Sequence, residues 1–451
     1  MTIATINRFI SLFSDAFAAL SVTVPVADVE RMAMLIHHSM DHGRRTYHTS
    51  THVFDMCEGM NPRQVLATLF HDIVYYQLDG GLPKSAEVLL KRVVRVERDV
   101  VEVRPMDAGD KGYAICTGIF GFKAGQALPL YGGMNEFLSA VVATRTLEPY
   151  LALEDIVAIV ACIEATIPFR MKNAAGRDTL DELALRLGDV GKATGLPFAE
   201  ADVKRMVTDA TVMSNHDVSS FSESDPGRFL STTWLLIEES NAPLAAVGIY
   251  SIKEYRGALS RMEKFLGSLN PDSVFHDYQG TPAAADFAEL RAAAKRNLEF
   301  ATKYLGMKIV GIAAVEALAQ TTGGDCPVSM LLGDIRSPYG KPDRVEDFLP
   351  PPPADESQLD GQLLNVLEKG RAKESASDLT ASPLTAWVYR RLGNEGSARA
   401  LEEARKMFDG QLTARDFLGG LEPATVRALT EACAQIAISR RAALLAIAQS
   451  V

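Results

Sequence analysis

Apolar side chains recur every three or four residues along most of the chain, which is the period of an amphipathic α-helix. In the segment 3–20 these positions are Ile6, Phe9, Ile10, Phe13, Phe17 and Leu20. Similar spacing predicts helices over 27–40, 50–59, 64–73, 84–96, 135–150, 153–166, 181–187, 200–207 and 229–239. Residues 97–133 mix charge and glycine and are predicted to be loop-like. The pattern therefore predicts an all-α fold.

The pattern changes after residue 306. Residues 307–357 are predicted to be a linker, because Gly323-Gly324 and four consecutive prolines at 350–353 favour an extended, semi-rigid spacer. Residues 358–451 are rich in alanine and leucine at helical spacing and predict a small helical bundle without histidine. Its role stays open between dimerisation into a homo-oligomer, another interaction, and shaping of a substrate entrance.

Charge and cysteine content exclude some classes of function. Lys and Arg number 46 against 57 Asp and Glu, a formal net charge of -11, so polymeric nucleic acid is not expected as the main partner. The five cysteines form no CxxC pair, which indicates a reducing compartment. The N-terminus has no basic leader, and no apolar run reaches the ~18 residues that span a bilayer. We therefore expect a cytoplasmic protein without a membrane partner.

Candidate catalytic and metal-binding residues are concentrated in the N-terminal part of the chain. Four of the eight histidines, His42, His48, His52 and His71, lie there. His71-Asp72 ends the apolar helix predicted over 64–73, and such polar groups are costly to bury without partners. His52 lies in the first turn of the preceding predicted helix. If the two helices pack antiparallel, these side chains converge on one point and suit a divalent ion of Zn, Mn, Fe, Ni or Mg. The ordinary alternative is a capping or salt-bridge pair.

A second histidine pair has the simpler interpretation. His38 and His42 are four residues apart on one predicted helix, a spacing that can bind metal. Two surface histidines are the commoner outcome, and we interpret this pair so.

The sequence Tyr47-His48-x-x-x-His52, followed by Phe70-His71-Asp72-x-x-Tyr75, resembles the HD superfamily of metal-dependent phosphohydrolases. It is similar to a bacterial branch of predicted HD phosphohydrolases, and its YHxxxH element also resembles the catalytic core of cyclic-nucleotide phosphodiesterases. Weaker matches extend the resemblance over residues 1–306. The resemblance implies an HD-domain helical core in that range, with the bundle at 358–451 as a separate domain.

The resemblance also implies roles for particular residues. His52, His71 and Asp72 would bind the metal together with a distal aspartate, for which Asp209 is preferred over Asp217. His48 would be the general acid.

Two polar residues lie at the end of the long apolar helix predicted over 153–166. The resemblance places Glu164 and Thr166 beside the metal, Glu164 as a catalytic residue acting through the metal or its water, and Thr166 facing the substrate. A salt bridge between Glu164 and Arg170 is the competing interpretation.

The resulting hypothesis is a metal-dependent phosphohydrolase that acts on a small phosphorylated substrate, with a nucleotide or cyclic nucleotide as one possibility. Arg44 and Arg45 would bind its phosphate, with Tyr47 beside them. A non-catalytic ligand-binding or scaffold protein is the main alternative. An HD-type iron oxygenase is less favoured, because the chain has no histidine between Asp72 and Asp209.

Overall fold

The computed structural model describes residues 3–41, 43–98, 100–105, 109–337 and 340–450, so His42 lies outside the described residues. The protein is all-α, as predicted, and the described ranges contain one sheet, a two-stranded ribbon. Two compact units can be distinguished. Unit 1 comprises residues 1–222 and 270–294, and unit 2 comprises 223–269 and 295–451. These boundaries differ from the predicted division at 306 and 358.

Unit 1 contains most of the predicted helices and the ribbon. Its elements are α1 (Thr5–Ala19), α2 (Val26–Met40), α3 (Ser50–Met56), α4 (Pro62–Phe70), α5 (Tyr76–Asp79), α6 (Glu87–Leu90), β1 (Val94–Glu97), β2 (Val100–Val103), α7 (Lys111–Phe120), α8 (Met134–Leu147), α9 (Leu153–Ala165), α10 (Thr179–Thr194) and α11 (Glu200–Asp217), with 3₁₀ turns at Ser219–Ser222 and Pro271–Ser273.

The helix α9 lies at the centre of unit 1. Ten consecutive residues of it, from Ile156 to Ala165, are buried, and it packs against α4, α8 and α11. A helix that is apolar on all sides has to be enclosed by other helices. This enclosure brings the ends of α4 and α11, which are distant in sequence, to the same core.

One predicted helix is partly wrong. The segment predicted as a helix over 84–96 contains only the short α6, and the chain then turns into β1, which pairs antiparallel with β2. Val93, Val94 and Val96 are β-branched and favour a strand, and Val94 faces its buried partner Val103 across the ribbon. The loop predicted over 97–133 also contains α7, which begins after its cap Asp110.

Unit 2 is a second helical assembly. Its elements are α12 (Pro226–Ser240), α13 (Ile252–Ser268), α14 (Ala284–Thr322), α15 (Ser329–Leu332), α16 (Gly361–Lys369), α17 (Pro383–Phe408), α18 (Ala414–Gly419), α19 (Pro423–Ile436) and α20 (Arg441–Ser450), with 3₁₀ turns at Ala242–Ala245, Val345–Phe348 and Ile438–Arg440. The first residues of α14 belong to unit 1.

The segment predicted as a linker is ordered over much of its length. Residues 307–322 are the second half of α14, and apolar residues of this half, including Ile309, Val310 and Leu318, are buried. The prolines at 350–353 are exposed and outside any helix. Within α17, Gly393 has φ +64° and interrupts the helix. Among the helices in the described ranges, none has the length and apolar character required to cross a bilayer.

Candidate metal centre

The local sequence explains why His71 is buried at the end of α4. Asn61 caps this helix by accepting hydrogen bonds from the backbone N–H groups of Arg63 and Gln64, while the Gln64 side chain accepts one from the Asn61 N–H. Pro62 occupies the first turn, where its missing N–H costs nothing. Leu66, Leu69 and Phe70 are fully buried and draw the C-terminal end of α4, with His71, into the core.

Four side chains converge at this point, three from the α3–α4 region and one from the end of α11. The Nε2 atom of His71 lies 2.9 Å from Asp72 Oδ2 and 3.7 Å from Asp217 Oδ1. The Nε2 atom of His52 lies 3.2 Å from Asp217 Oδ1 and 3.8 Å from Asp72 Oδ2. Ligand atoms of His52, His71 and Asp72 all lie within 4.8 Å of one another. Two imidazoles and two carboxylates therefore face one centre.

The orientation of the His71 ring favours a cation. Its Nδ1 atom lies 2.8 Å from the Thr68 carbonyl oxygen, which can accept only from a protonated Nδ1, so Nε2 is left as the lone-pair atom of the neutral ring. Among the described residues, Nε2 is buried without a hydrogen-bond partner, because the 2.9 Å approach of Asp72 lacks hydrogen-bond geometry. An unsatisfied nitrogen beside two carboxylates fits a divalent metal ion.

The charges of the four side chains support the same conclusion. Burial by itself would raise the pKa of Asp72 and Asp217, but the imidazoles hold the pKa of Asp72 far below its usual range and that of Asp217 at about 2. Burial by itself would lower the pKa of His71, yet the two carboxylates raise it well above its usual value. Both carboxylates are therefore ionised and favour a positive charge at the centre, which is either a proton on His71 Nε2 or a metal ion that takes the place of this proton.

The structure does not bring Asp209 into the cluster, which corrects the preferred choice of distal aspartate. Asp209 and Asp217 lie on the same helix, α11, and eight residues at 1.5 Å each separate them by about 12 Å along its axis. The Asp209 carbonyl accepts a hydrogen bond from Gln64, and its carboxylate lies near the Asn61 side chain. Asp209 thus belongs to the start of α4, and Asp217, the alternative, faces the histidines.

The residues of the YHxxxH element lie at the edge of the centre. The His48 ring meets the Tyr75 ring edge-on with 4.9 Å between centroids, and its centroid is 6.0 Å from that of His52. The Tyr47 ring is tilted against His52 at 4.9 Å. Both Tyr47 and His48 are half-buried, so they reach solvent as well as the centre.

The two arginines predicted to bind phosphate have different environments. Arg45 is buried, donates to both carboxylate oxygens of Asp79 at 2.9 and 3.1 Å, and donates to the Asp72 carbonyl oxygen at 2.6 Å. With its guanidinium enclosed, Arg45 positions the backbone of Asp72, and the prediction that it contacts substrate is corrected. Arg44 is exposed.

Glu164 and Thr166 are also occupied by structural contacts. The Glu164 carboxylate is almost wholly buried and lies 2.6 Å from both Arg170 and Arg186. The Thr166 hydroxyl donates to the Ile163 carbonyl oxygen at the end of α9. The competing interpretation, an ion pair between Glu164 and Arg170, is the one that the structure shows, with Arg186 as a second partner.

Sequence reasoning did not single out Glu136, in the first turn of α8. Burial raises its pKa to about 7, with a further increase from Asp72 and Asp217 and a decrease from Arg170. Glu136 is therefore within electrostatic reach of the centre. The available cue was an acidic residue three positions after Gly133, in the first turn of a predicted helix. Only the side-chain amide of the preceding Asn135, which accepts from the Tyr76 N–H, reveals that α8 begins beside the centre.

Comparison of the chain with protein-family models, with curated proteins and with solved structures finds no match. The resemblance to HD phosphohydrolases therefore depends on the quoted motifs alone.

Proposed function

We propose that unit 1 is a metal-dependent phosphohydrolase with an HD-type centre that cleaves a phosphoester of a small substrate, such as a nucleotide or cyclic nucleotide. The observation that supports it is the convergence of His52, His71 and Asp72 on one point, with Asp217 3.2 Å from His52. Two imidazoles and two carboxylates would hold Zn, Mn, Fe, Ni or Mg.

A divalent cation in this position supplies a Lewis acid for the phosphoryl oxygens and lowers the pKa of water. The protein's own contribution starts with His48, which we assign to protonate the leaving oxygen. Its ring is held by edge-on contacts with Tyr47 and Tyr75, and an imidazole exchanges protons near neutral pH. Glu136, whose pKa lies at about 7 because of burial, adds a second group able to exchange a proton there.

The same arrangement supplies positive charge for a phosphate. Arg170 and Arg186 share the single carboxylate of Glu164, so one positive charge in this group is not neutralised. Arg170 also acts electrostatically on Glu136. We therefore assign Arg170, in place of the enclosed Arg45, to attract the phosphate, with Tyr47 at the edge of the centre.

The test is hydrolysis by the purified full chain after chelation and reloading with each metal separately. The substrates are a nucleotide, a cyclic nucleotide, and mono- and diester aryl phosphates. We expect activity to depend on the added metal, and we expect His52→Ala and Asp72→Ala to lose both metal and activity.

Asp209→Asn serves as the matched control, because Asp209 lies on α11 outside the cluster and should retain both properties. Metal binding without hydrolysis of any substrate would leave the ligand-binding or scaffold alternative. Oxygen uptake by the iron-loaded protein would indicate the oxygenase. Full metal content in the His52 and Asp72 variants would refute the centre itself.

A further inference from the structure

Unit 2 contains a separate cavity of about 50 Å³, lined by residues of α13, α14 and α17 and of the loop before α17. Lys308 of α14, Tyr255 of α13 and Asp378 of the loop face it. One water molecule needs about 10–15 Å³ of such volume, and a drug-sized ligand needs about 300 Å³ or more. The cavity thus suits a group of a few heavy atoms.

The buried ions beside this cavity carry unequal charge. Lys308 Nζ lies 2.9 Å from Asp378 Oδ2, and Arg371 Nη1 lies 3.3 Å from the same oxygen. The side-chain exposures are 8% for Lys308, 0% for Arg371 and 12% for Asp378. Two enclosed cations therefore share one carboxylate. An uncompensated buried charge costs several kcal/mol, so this cluster favours a further anion.

The neighbouring charged groups do not restore the balance at the cavity. Arg344 and Glu346 line it as a pair, with Nε 3.1 Å from Oε2, and neutralise each other. Glu238 acts electrostatically on the lining residue Tyr250, but it accepts hydrogen bonds from the N–H and hydroxyl of Ser377. Glu238 is not among the lining residues. The charged lining residues therefore balance one another, and the surplus positive charge comes from Arg371, which is not a lining residue but shares the Asp378 carboxylate with Lys308.

The same cluster has more hydrogen-bond donors than acceptors. The Tyr255 hydroxyl, Arg371 Nε and Trp234 Nε1 are buried without a hydrogen-bond partner among the described residues. Tyr255 lies near Asp378 and contributes slightly to lowering the pKa of that carboxyl, but without hydrogen-bond geometry. Buried donors are normally satisfied. Of the three, the Tyr255 hydroxyl belongs to a residue that lines the cavity, so it marks the point where an acceptor is missing.

Aromatic rings hold these cations in place. The Arg371 guanidinium lies 3.9 Å from the centroid of the Trp234 ring, and Lys308 Nζ lies 5.3 Å from the same centroid. Lys308 Nζ is also 5.6 Å from the centroid of the Tyr255 ring. A rigid arrangement of donors binds an anion with little loss of side-chain entropy. It also makes the Trp234 fluorescence sensitive to what binds there.

We infer that unit 2 binds a small oxyanion, a carboxylate or a phosphate group, through the Lys308 ammonium and the Tyr255 hydroxyl. The anion would neutralise the surplus charge next to Asp378 and accept the free Tyr255 O–H. This site lies wholly within unit 2 and uses none of the residues of the metal centre, so either proposal can fail without the other.

The experiment is titration of the full chain with sodium phosphate, and separately with sodium acetate, at constant ionic strength against sodium chloride. Tryptophan emission and the thermal midpoint are followed. We expect a saturable change with at least one oxyanion. Glycerol 3-phosphate, in a third arm, distinguishes a free anion from the terminal group of a larger ligand.

Lys308→Met should weaken the binding of the effective oxyanion by about tenfold or more, because it removes a charge-assisted hydrogen bond. Lys303→Met is the matched control on the same helix, since Lys303 is half exposed and pairs with Asp360 outside the cavity. If Lys308→Met does not fold, Tyr255→Phe decides, because it removes only a hydroxyl without a partner. It should weaken binding severalfold and leave the anion-free thermal midpoint unchanged or higher.

No saturable response to any oxyanion would show that the cluster has only a structural role and would overturn the inference. An equal response of Lys308→Met and Lys303→Met would do the same, because it would assign the change to a general ionic effect.

Discussion

Replacement of Asp217 by asparagine should weaken cation binding at the candidate metal centre by at least about 100-fold. The substitution keeps the size of the side chain at the end of α11 and removes one of the two carboxylates that face His52 and His71. Two unit charges 4 Å apart interact by about 4 kcal/mol at an effective dielectric constant of about 20. The double charge of the cation raises this attraction to about 8 kcal/mol. Desolvation of the carboxylate offsets several kcal/mol of it, and a remainder of about 2.7 kcal/mol corresponds to 100-fold.

The assay is competition for the cation between the protein and a chromophoric chelator, together with elemental analysis of the purified variants. Asp209→Asn is the control, since this residue lies on the same helix and contacts Asn61 and Gln64 instead of the histidines. Circular dichroism before metal addition verifies that both variants are folded.

The reasoning fails if Asp217→Asn binds the cation as tightly as the natural protein. It fails equally if Asp209→Asn loses as much affinity as Asp217→Asn, because the effect would then follow the net charge of α11 and not the geometry of the centre.

Three further predictions concern other residues of unit 1. His48→Asn should reduce kcat by about 10²–10⁴-fold at unchanged metal content, as expected for loss of a general acid; a large fall in bound metal would instead make His48 a ligand. Arg45→Met should destabilise unit 1 by about 3–5 kcal/mol in urea unfolding, because Asp79 is left buried without its partner, whereas Arg44→Met at the exposed neighbour should have little effect. Burial by itself would raise the pKa of Asp178, but His276 lowers it to about 2, below the value of about 3.9 in an unfolded chain. The ionised carboxylate therefore stabilises the fold above about pH 4. This contribution is lost as the pH falls through about 2. Asp178→Asn keeps a residue that can cap α10 and should lower the free energy of unfolding at pH 7 by about 1 kcal/mol. Calorimetry should show that the difference from the natural protein becomes smaller below pH 4. A difference that does not change with pH would contradict its ionic origin.

The sequence alone predicted the all-α class, because periodic apolar positions report directly on which residues a helix buries. The helices predicted over 27–40 and 153–166 agree with α2 and α9 to within one residue at each end. The helix predicted over 84–96 was partly wrong, because there the strand preference of β-branched residues competes with the helical spacing of the apolar positions. The valines at 94, 96, 100, 101 and 103 lie in a ribbon because two segments pair, and pairing is a property of both segments together.

Sequence reasoning grouped only those residues of the candidate metal centre that lie near one another in the chain. His52, His71 and Asp72 could be grouped because two short helices joined by a tight, capped turn bring them together. The distal aspartate could not be chosen from sequence, since Asp209 and Asp217 differ only in their position along α11. Packing of α11 against the buried α9 decides which of the two faces the histidines.

Tertiary structure alone also decided which charged residues are available for chemistry. Arg45 and Glu164 carry the residue types that a phosphohydrolase uses, yet each is enclosed by partners of opposite charge. Glu136 and the Lys308–Asp378 cluster are inconspicuous in the sequence. In the structure, Glu136 stands out by its raised pKa, and the cluster stands out by its burial and its unsatisfied donors. The sequence gives the charge of each side chain. Burial and the presence of an oppositely charged partner depend on segments distant in sequence, and these two properties determine whether the charged group can take part in binding or catalysis.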